Sequence, residues 1–259
     1  MTQADQPPLR IAILANWTAD FLREPLAKAL ESRGFRPVFW FAPFDQYSQA
    51  ILTENSDLYR FDPAVVILNL DGQDLFRDLL HNPFGANPQE RAALASARAG
   101  ETAELATRLS ARLPQTSILL NTLFFPPRHC LLGLEFNSEY SLDEIPYLYN
   151  GRLSSLIRDC PAVSMLDIAS LALLIGYGRW HDARMWYLAR LRASREASQV
   201  MAQLYAASIG SRLGQIRKRL VLDLDNVLWG GIIGKMASAE FNSGMMASAL
   251  PSRSSSKRF

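Results

Sequence analysis

The apolar run at residues 64–70 (AVVILNL) constrains the fold more than any other feature of the sequence. Its centre, Val65-Val66-Ile67-Leu68, is apolar on both faces of an extended chain. A strand of this kind has to be covered on both faces, which is typical of strands in parallel sheets. The run therefore predicts a strand in a sheet that helices cover on both sides.

Segments with strand and helix patterns alternate around this run. Further strands are predicted at residues 11–14, 37–41, 116–120 and 162–166, and helices at 19–33, 47–53, 90–113, 168–175, 182–191 and 193–217. Thr18 is the predicted N-cap of the first helix, and Gly34 the residue that ends it. Ser141 and Glu144 predict a capping box at the start of another helix. This alternation predicts an α/β fold, a doubly wound and mostly parallel sheet of about five strands.

The stretch KRLVLDLDNVLWGG at residues 218–231 indicates chemistry as well as structure. An apolar strand runs into Asp223 and Asp225, whose side chains point to the same side of an extended chain. The first carboxylate can attack phosphorus, the second can protonate a leaving group, and together they favour Mg²⁺. The alternative interpretation is an acid-rich turn, since Asp and Asn are common turn residues.

The longer stretch LVLDLDNVLWGGIIG, residues 220–234, resembles the first motif of the haloacid dehalogenase (HAD) superfamily. More narrowly it resembles the FkbH-like proteins of polyketide biosynthesis, with Val227 where that family has Thr. Upstream segments such as ILANWTADFL and RWHDARMWYLARL are similar to the same family's N-terminal domain, so the resemblance covers about residues 9–234.

This resemblance implies an activity, a cofactor and partners. FkbH-like proteins are thought to remove the phosphate of 1,3-bisphosphoglycerate, a phosphorylated three-carbon substrate, and to load its glyceryl group onto an acyl carrier protein. The resemblance implies that Asp223 is the nucleophile and a Mg²⁺ ligand. It implies that Asp225 is the acid/base residue and a second ligand of the metal.

The α/β region also resembles the SGNH (GDSL-type) hydrolase fold, the usual assignment for this family's first domain. That fold has a Ser after strand one, an Asn after strand three, and a DxxH pair near its end. Here Asn16 stands near the Ser position, Asp71-Gly-Gln-Asp74 follows strand three, and His181 has no Asp three residues before it. Because serine hydrolysis needs nucleophile, base and orienting group together, we expect no such triad. Asn16, Asp71 and Asp74 could still line a remnant cleft.

The residues after Asp225 do not supply the rest of a HAD site. Glu240 is the only later acid, whereas such a site also needs a Ser or Thr, a phosphate-binding Lys and further acids. We therefore expect the 259-residue chain to lack phosphatase and transferase activity. Codons for residues 235–249, read after one missing base is restored, can spell the family's expected continuation, EDGIGGIQLGHDGIR. A frameshift is one explanation, and a short tail of its own kind is the other.

Four parts are predicted along the chain. An SGNH-like domain at residues 1–192 is followed by a connecting helix at 193–217, the first strand and motif of a truncated HAD domain at 218–234, and a divergent tail at 235–259, for which disorder is the default. The aromatic residues Trp180, Trp186 and Tyr187 have helical spacing and are predicted to pack in the core.

Charge and composition bear on compartment and partners. The net charge is +2, of which residues 235–259 carry +3, so no basic surface for nucleic acid is expected in the remainder. The longest apolar run, residues 166–178, is too short to cross a bilayer. Cys130 and Cys160 have neither metal-ligand nor redox spacing, which favours free thiols and a cytoplasmic protein.

Three functional hypotheses follow from the sequence. The first is an FkbH-like protein that is inactive as this chain. The second is a non-catalytic module that binds a carrier protein or another partner. The third is an SGNH-type hydrolase whose catalytic residues the motifs do not reveal.

Overall fold

The computed structural model describes residues 7–126 and 138–214. They all belong to the first of two compact units of the chain, which ends at residue 215. The predictions for Asp223, Asp225, the first HAD strand and the tail fall outside the described residues. So does the end of the predicted connecting helix.

Strands and helices alternate as the sequence predicts. The strands are β1 (Leu9–Ala15), β2 (Pro37–Phe41), β3 (Val65–Asn69), β4 (Ser117–Asn121) and β5 (Val163–Leu166). The helices are α1 (Arg23–Glu31), α2 (Tyr47–Leu52), α3 (Asp57–Phe61), α4 (Gly72–Leu75), α5 (Arg77–His81), α6 (Pro88–Arg112), α7 (Ile145–Ile157), α8 (Ile168–Ile175), α9 (Tyr177–Trp180), α10 (Ala183–Ala189) and α11 (Arg195–Arg212). None of these helices is both long enough and apolar enough to cross a membrane.

The five strands form one parallel sheet in the order β2-β1-β3-β4-β5. The chain moves from β1 outward to β2 and then returns to the other side of β1 to form β3. The strand order therefore reverses between β1 and β3. In open α/β sheets, ligands bind beyond the carboxyl ends of the strands at such a point. The predicted fold class is confirmed.

Both faces of the sheet are covered, because successive side chains of each strand point to opposite sides. Leu14 and Leu68 face one hydrophobic core, to which α6 and α7 contribute. Ile13 and Ile67 face the other, which includes residues of α1, α8 and α11. All five residues of β3 are buried, as its apolar run predicts.

Helix termini agree with the sequence at two places and differ at a third. Gly34 ends the first helical segment with a φ of +84°, and the capping box of Ser141 and Glu144 is formed. Thr18 is not a helix cap. Its backbone N–H donates to the carbonyl of Arg190, and a 3-10 turn (Asp20–Leu22) precedes α1, which has no side-chain cap.

The prediction that Tyr187 packs in the core is wrong. Trp180 is buried, but 81% of the Tyr187 surface is exposed. The reason is the length of α10, which has seven residues and buries none of them. Helical spacing predicts an inward face only where a helix is long enough to lie along the core.

The C-terminal helix of the described chain, α11, packs against α1 and α8. Near its end, the Arg212 guanidinium donates to the carbonyl oxygens of Pro161 and Ala162, at 3.2 and 3.4 Å. The chain thus leaves the described residues beside the start of the edge strand β5.

Gly34 and Gly100 allow a paired test of this backbone. The Cβ of Ala would meet no atom within 4 Å at either position, but only Gly34 has a positive φ. Gly34→Ala should therefore lower the free energy of unfolding by about 1 kcal/mol. Gly100→Ala, inside α6, should raise it by up to about 1 kcal/mol. Urea unfolding measures both, and equal effects of the same sign would contradict the assigned backbone.

Candidate functional site

The side chain of Asn16 connects the carboxyl ends of β1 and β3. Its Oδ1 accepts the N–H of Asp71 at 2.7 Å, and its Nδ2 donates to the carbonyl of Asp71 at 3.1 Å. Asn16 is buried, so both polar ends of its amide are committed to one residue of the turn after β3. In this way the side chain supplies the hydrogen bonds that a neighbouring strand would supply.

Two other asparagines make the same double contact. Asn121, the last residue of β4, accepts the N–H of Leu70 at 2.8 Å and donates to its carbonyl at 2.9 Å. Asn150 of α7 does so with Leu123, at 2.8 Å in both directions. We call Asn16, Asn121 and Asn150 the asparagine clamps. They fix the turns after β3 and β4, where the backbones of adjacent strands separate.

Asp71 projects from one of these clamped turns. It caps α4, since its Oδ2 accepts the backbone N–H of Asp74 at 2.9 Å. Its side chain is only 14% exposed. Burial raises the pKa of this carboxyl to about 6, although the nearby charge of Arg192 acts in the opposite direction.

Arg192 lies between two carboxylates. Its Nε is 3.0 Å from an oxygen of Asp71 and 3.0 Å from an oxygen of Asp74, and its Nη2 is 2.9 Å from the other oxygen of Asp74. Asp74 also pairs with Arg77 at 3.0 Å. The guanidinium carbon of Arg192 is 3.4 Å from the centroid of the Trp186 ring, which is cation–π contact.

His181 belongs to the same neighbourhood, although no motif marks it. Its Nδ1 is 3.1 Å from the carbonyl oxygen of Arg192. Its charge is one of the smaller influences that lower the pKa of Asp71. The imidazole and the Asp71 carboxyl border one small cavity.

The open space around Asp71 is very limited. Cavities of about 20 Å³ and about 10 Å³ border it, and each has room for about one water molecule. A much larger cleft, about 510 Å³, contacts Asp74 instead. Arg192 borders all three spaces, so its side chain divides the strand ends from the large cleft.

The described residues do not fit a magnesium ion. No group of three or more His, Cys, Asp or Glu side chains that could hold a metal occurs among them. Asp71 and Asp74, the two acids that follow β3, are paired with the guanidinium group of Arg192. The ligands that the sequence predicts, Asp223 and Asp225, lie outside the described residues.

The structure brings Asn16, Asp71 and Asp74 together, but the three do not border one space: Asp71 borders the two small cavities, Asp74 borders the large cleft, and Asn16 borders none of these three. Asn16 holds the backbone of Asp71, and the two acids share Arg192. Sequence reasoning missed Arg192 because 118 residues separate it from Asp74 and it lies in an irregular segment. It also missed the other two clamps. An Asn at a strand end, such as Asn121, equally predicts a turn, and Asn150 lies inside a helix where no pattern marks it.

Comparison with known proteins adds likeness of fold. No family model matches the sequence, and no curated protein matches it. The N-terminal part of BF1531 from Bacteroides fragilis, which contains a phosphatase domain and was crystallised with Mg, superposes with a TM-score of 0.77 at 19% identity. The match covers 91% of this chain and 60% of that one, so the present chain spans less than two thirds of its length.

Lipases share the fold of this chain as well. The lipase Lip_vut3 from a goat rumen metagenome has a TM-score of 0.59 at 13% identity, and the match covers 78% of this chain and 97% of that one. A GDSL-like lipase from Parabacteroides merdae has a TM-score of 0.50 at 12% identity, covering 79% and 99%. At such identities the likeness shows the fold alone.

The clamps predict a loss of stability on substitution. Asn16→Ala or Asn121→Ala would leave one buried N–H and one buried carbonyl without a partner. Each variant should lower the free energy of unfolding by about 2 to 4 kcal/mol. Asn55→Ala, at an exposed turn position, is the matched control and should change it by less than about 0.5 kcal/mol. Similar small effects at all three positions, measured by urea unfolding, would contradict the role of the clamps.

The raised pKa of Asp71 predicts a pH dependence of stability. Because the folded protein holds this proton more tightly than the unfolded chain does, the group's contribution to the free energy of unfolding falls as the pH rises from about 4 to about 6. Above that range the contribution is constant. Asp71→Asn removes the titrating carboxyl, so its stability relative to the wild type should increase between about pH 4.5 and about pH 7.5.

Urea unfolding of both proteins at the two pH values measures this difference. Asp78→Asn, at an exposed position of α5, is the matched control for the loss of one carboxyl. If Asp71→Asn instead became relatively less stable as the pH rises, the ion pair with Arg192 would outweigh the cost of burial.

Proposed function

We propose that this protein is related to the FkbH-like group, whose phosphoryl chemistry would take place at Asp223 and Asp225 where the rest of the HAD site is present. In this proposal the described α/β domain supports that chemistry and does not hydrolyse esters itself. The claim that the domain does not hydrolyse esters rests on the hydrogen bonds of the Asn16 side chain. By the SGNH resemblance, Asn16 stands near the position of the nucleophile, and both polar ends of its amide are hydrogen-bonded to Asp71.

An amide in this state cannot replace a serine. A nucleophilic catalyst needs a lone pair that a neighbouring base can activate, whereas a carboxamide has no hydroxyl and the lone pair of its nitrogen is delocalised into the carbonyl group. Release of Asn16 would also leave the buried N–H and carbonyl of Asp71 unpaired. The hydrogen bonds therefore favour a structural role for this position.

The space at the strand ends supports the same conclusion. An acyl group attacked at this point would need room beside Asn16 and Asp71, whereas the cavities found beside Asp71 in the described part of the chain are of water size. The side chain of Arg192 occupies the region between them and the large cleft. Opening this region would separate Arg192 from Asp71 and Asp74, which leaves buried charges without partners.

Support for the phosphoryl part comes from the first motif and from the fold. The stretch at residues 220–234 resembles HAD motif one, and the protein with the TM-score of 0.77 contains a phosphatase domain. By this resemblance Asp223 would attack the phosphorus of 1,3-bisphosphoglycerate, and Asp225 would donate a proton to the leaving oxygen. Bound Mg²⁺ would neutralise phosphate charge. The glyceryl group would then pass to an acyl carrier protein.

A second candidate is an SGNH-type hydrolase that uses other residues. One observation favours it: a buried carboxyl with a pKa of about 6 lies close to His181, in a fold that lipases share. Perturbed carboxyls near a histidine are common in active sites, although ion-pair networks also produce them. Arg192 pairs with both Asp71 and Asp74, which favours a structural ion-pair network over an active site.

Ester hydrolysis separates the two candidates. We expect the full chain to hydrolyse p-nitrophenyl acetate and butyrate no faster than buffer does. Asp71→Asn and His181→Gln should leave that background unchanged. Turnover by the wild type that either variant abolishes would establish the hydrolase and refute the supporting role of the domain.

Phosphate release tests the first motif. The chain, extended by the HAD strands that follow this motif in the FkbH-like family, should release phosphate from 1,3-bisphosphoglycerate when Mg²⁺ and carrier protein are present. Asp223→Asn should abolish the release, because it removes the attacking carboxylate. An extended protein that stays inactive would contradict the proposed substrate.

A further inference from the structure

The cleft of about 510 Å³ is larger than the water-sized spaces beside Asp71 and is separated from them by Arg192. It lies between the loop after β2, the helices α4 and α5, and the C-terminal part of α10. Its volume falls within the range of small-molecule sites, which is roughly 300–1,000 Å³. Neither the HAD motif nor the SGNH resemblance gives this cleft a role.

The cleft presents cationic groups more than acidic ones. Arg77, Arg190 and Arg192 line it together with one carboxylate, Asp74. The side chain of Asp74 is only 3% exposed, and its oxygens accept from Arg77 and Arg192. Its charge is therefore turned inward, whereas the side chain of Arg77 is half-exposed. Asp45 lies near enough to interact electrostatically with Arg77, which reduces the positive charge at that side of the cleft.

Of the three arginines that line the cleft, Arg190 has the fewest partners within the described chain. Within the described chain no carboxylate pairs with it, and its guanidinium carbon lies 5.0 Å from the centroid of the Trp186 ring. Its backbone has the left-handed conformation, with a φ of 56°, which costs a non-glycine residue on the order of 1 kcal/mol. Two hydrogen bonds hold that backbone: its N–H donates to the carbonyl of Trp186, and its carbonyl accepts from Thr18. The side chain is thereby placed at the cleft.

Exposed aromatic rings complete the lining. Phe44 and Tyr187 both border the cleft, and both are large side chains left open to solvent. Flat apolar surfaces beside guanidinium groups suit a ligand that has an anionic group and a planar apolar body. A small anion without an apolar body would leave these rings exposed to solvent.

We propose that this cleft binds a small organic anion with a planar apolar body. Its phosphate or carboxylate contacts Arg190 and Arg77, and its body lies against Tyr187 and Phe44. Binding leaves the pairs of Arg192 with Asp71 and Asp74 intact, because Arg77 and Arg190 have exposed N–H groups for the ligand. The site is independent of the phosphoryl chemistry proposed for Asp223.

Isothermal titration calorimetry on the full chain tests this proposal with four probes: 1-naphthyl phosphate, 1-naphthoate, neutral 1-naphthol and inorganic phosphate. We expect saturable binding of one or both naphthyl anions and at least about tenfold weaker binding of naphthol and of inorganic phosphate. The stronger of the two naphthyl anions identifies the anionic group. Arg190→Gln should weaken that binding about tenfold, since one charge-assisted hydrogen bond is lost.

Arg184→Gln is the matched control, because Arg184 is an exposed arginine of α10, the helix that Arg190 directly follows, and does not line the cleft. It should leave the affinity unchanged. Tyr187→Ala should weaken the naphthyl anions but not inorganic phosphate, and Leu188→Ala is its control. Thermal unfolding confirms that each variant is folded. Absence of binding, equal binding of naphthol, or equal losses in Arg184→Gln and Arg190→Gln would overturn the proposal.

Discussion

The double hydrogen bonds of three asparagines hold the part of this fold on which the rest depends. Parallel strands separate beyond their carboxyl ends, and the peptide groups there lose the partners that the sheet provides. Asn16, Asn121 and Asn150 replace those partners, each with one donor and one acceptor. Buried peptide groups that would otherwise lack partners are thereby satisfied. Because the turn after β3 is fixed, Asp71 has a fixed position, and Arg192 can bind between it and Asp74.

In our proposal, this arrangement is what allows a fold shared with lipases to hold a site of a different kind. Where a hydrolase needs a nucleophile and room for an acyl group, this chain has an occupied amide and cavities for single water molecules. Arg192 fills the space at the carboxyl ends of the strands. It also forms a wall of the larger cleft and contacts the Trp186 ring. Because Asp71 is buried and Asp74 is paired, the carboxyl ends of the strands have a structural role. The large accessible cleft lies on the other side of Arg192.

The sequence predicts the sheet well, because the apolar run of β3 can only be buried on both faces. It also predicts that Asn16, Asp71 and Asp74 meet, since carboxyl ends of adjacent parallel strands lie at one edge. It does not predict Arg192, whose role arises from tertiary contact across 118 residues. It gives the wrong environment for Tyr187, because helical spacing says nothing about whether a short helix reaches the core. The short helices α3, α4, α5 and α9 were missed for a related reason, as four or five residues are too few to show a period.

Hydrogen exchange at the clamped residues tests the central claim most directly. If the asparagine side chains replace the hydrogen bonds of a neighbouring strand, the backbone N–H groups of Leu70, Asp71 and Leu123 exchange only when most of the domain unfolds. Their protection, measured by NMR on the full chain, should then approach that of Ile67 in the middle of β3. Exchange of these three groups as fast as in the exposed turn at residues 54–55 would contradict the account, because the turns would then open without disturbing the sheet.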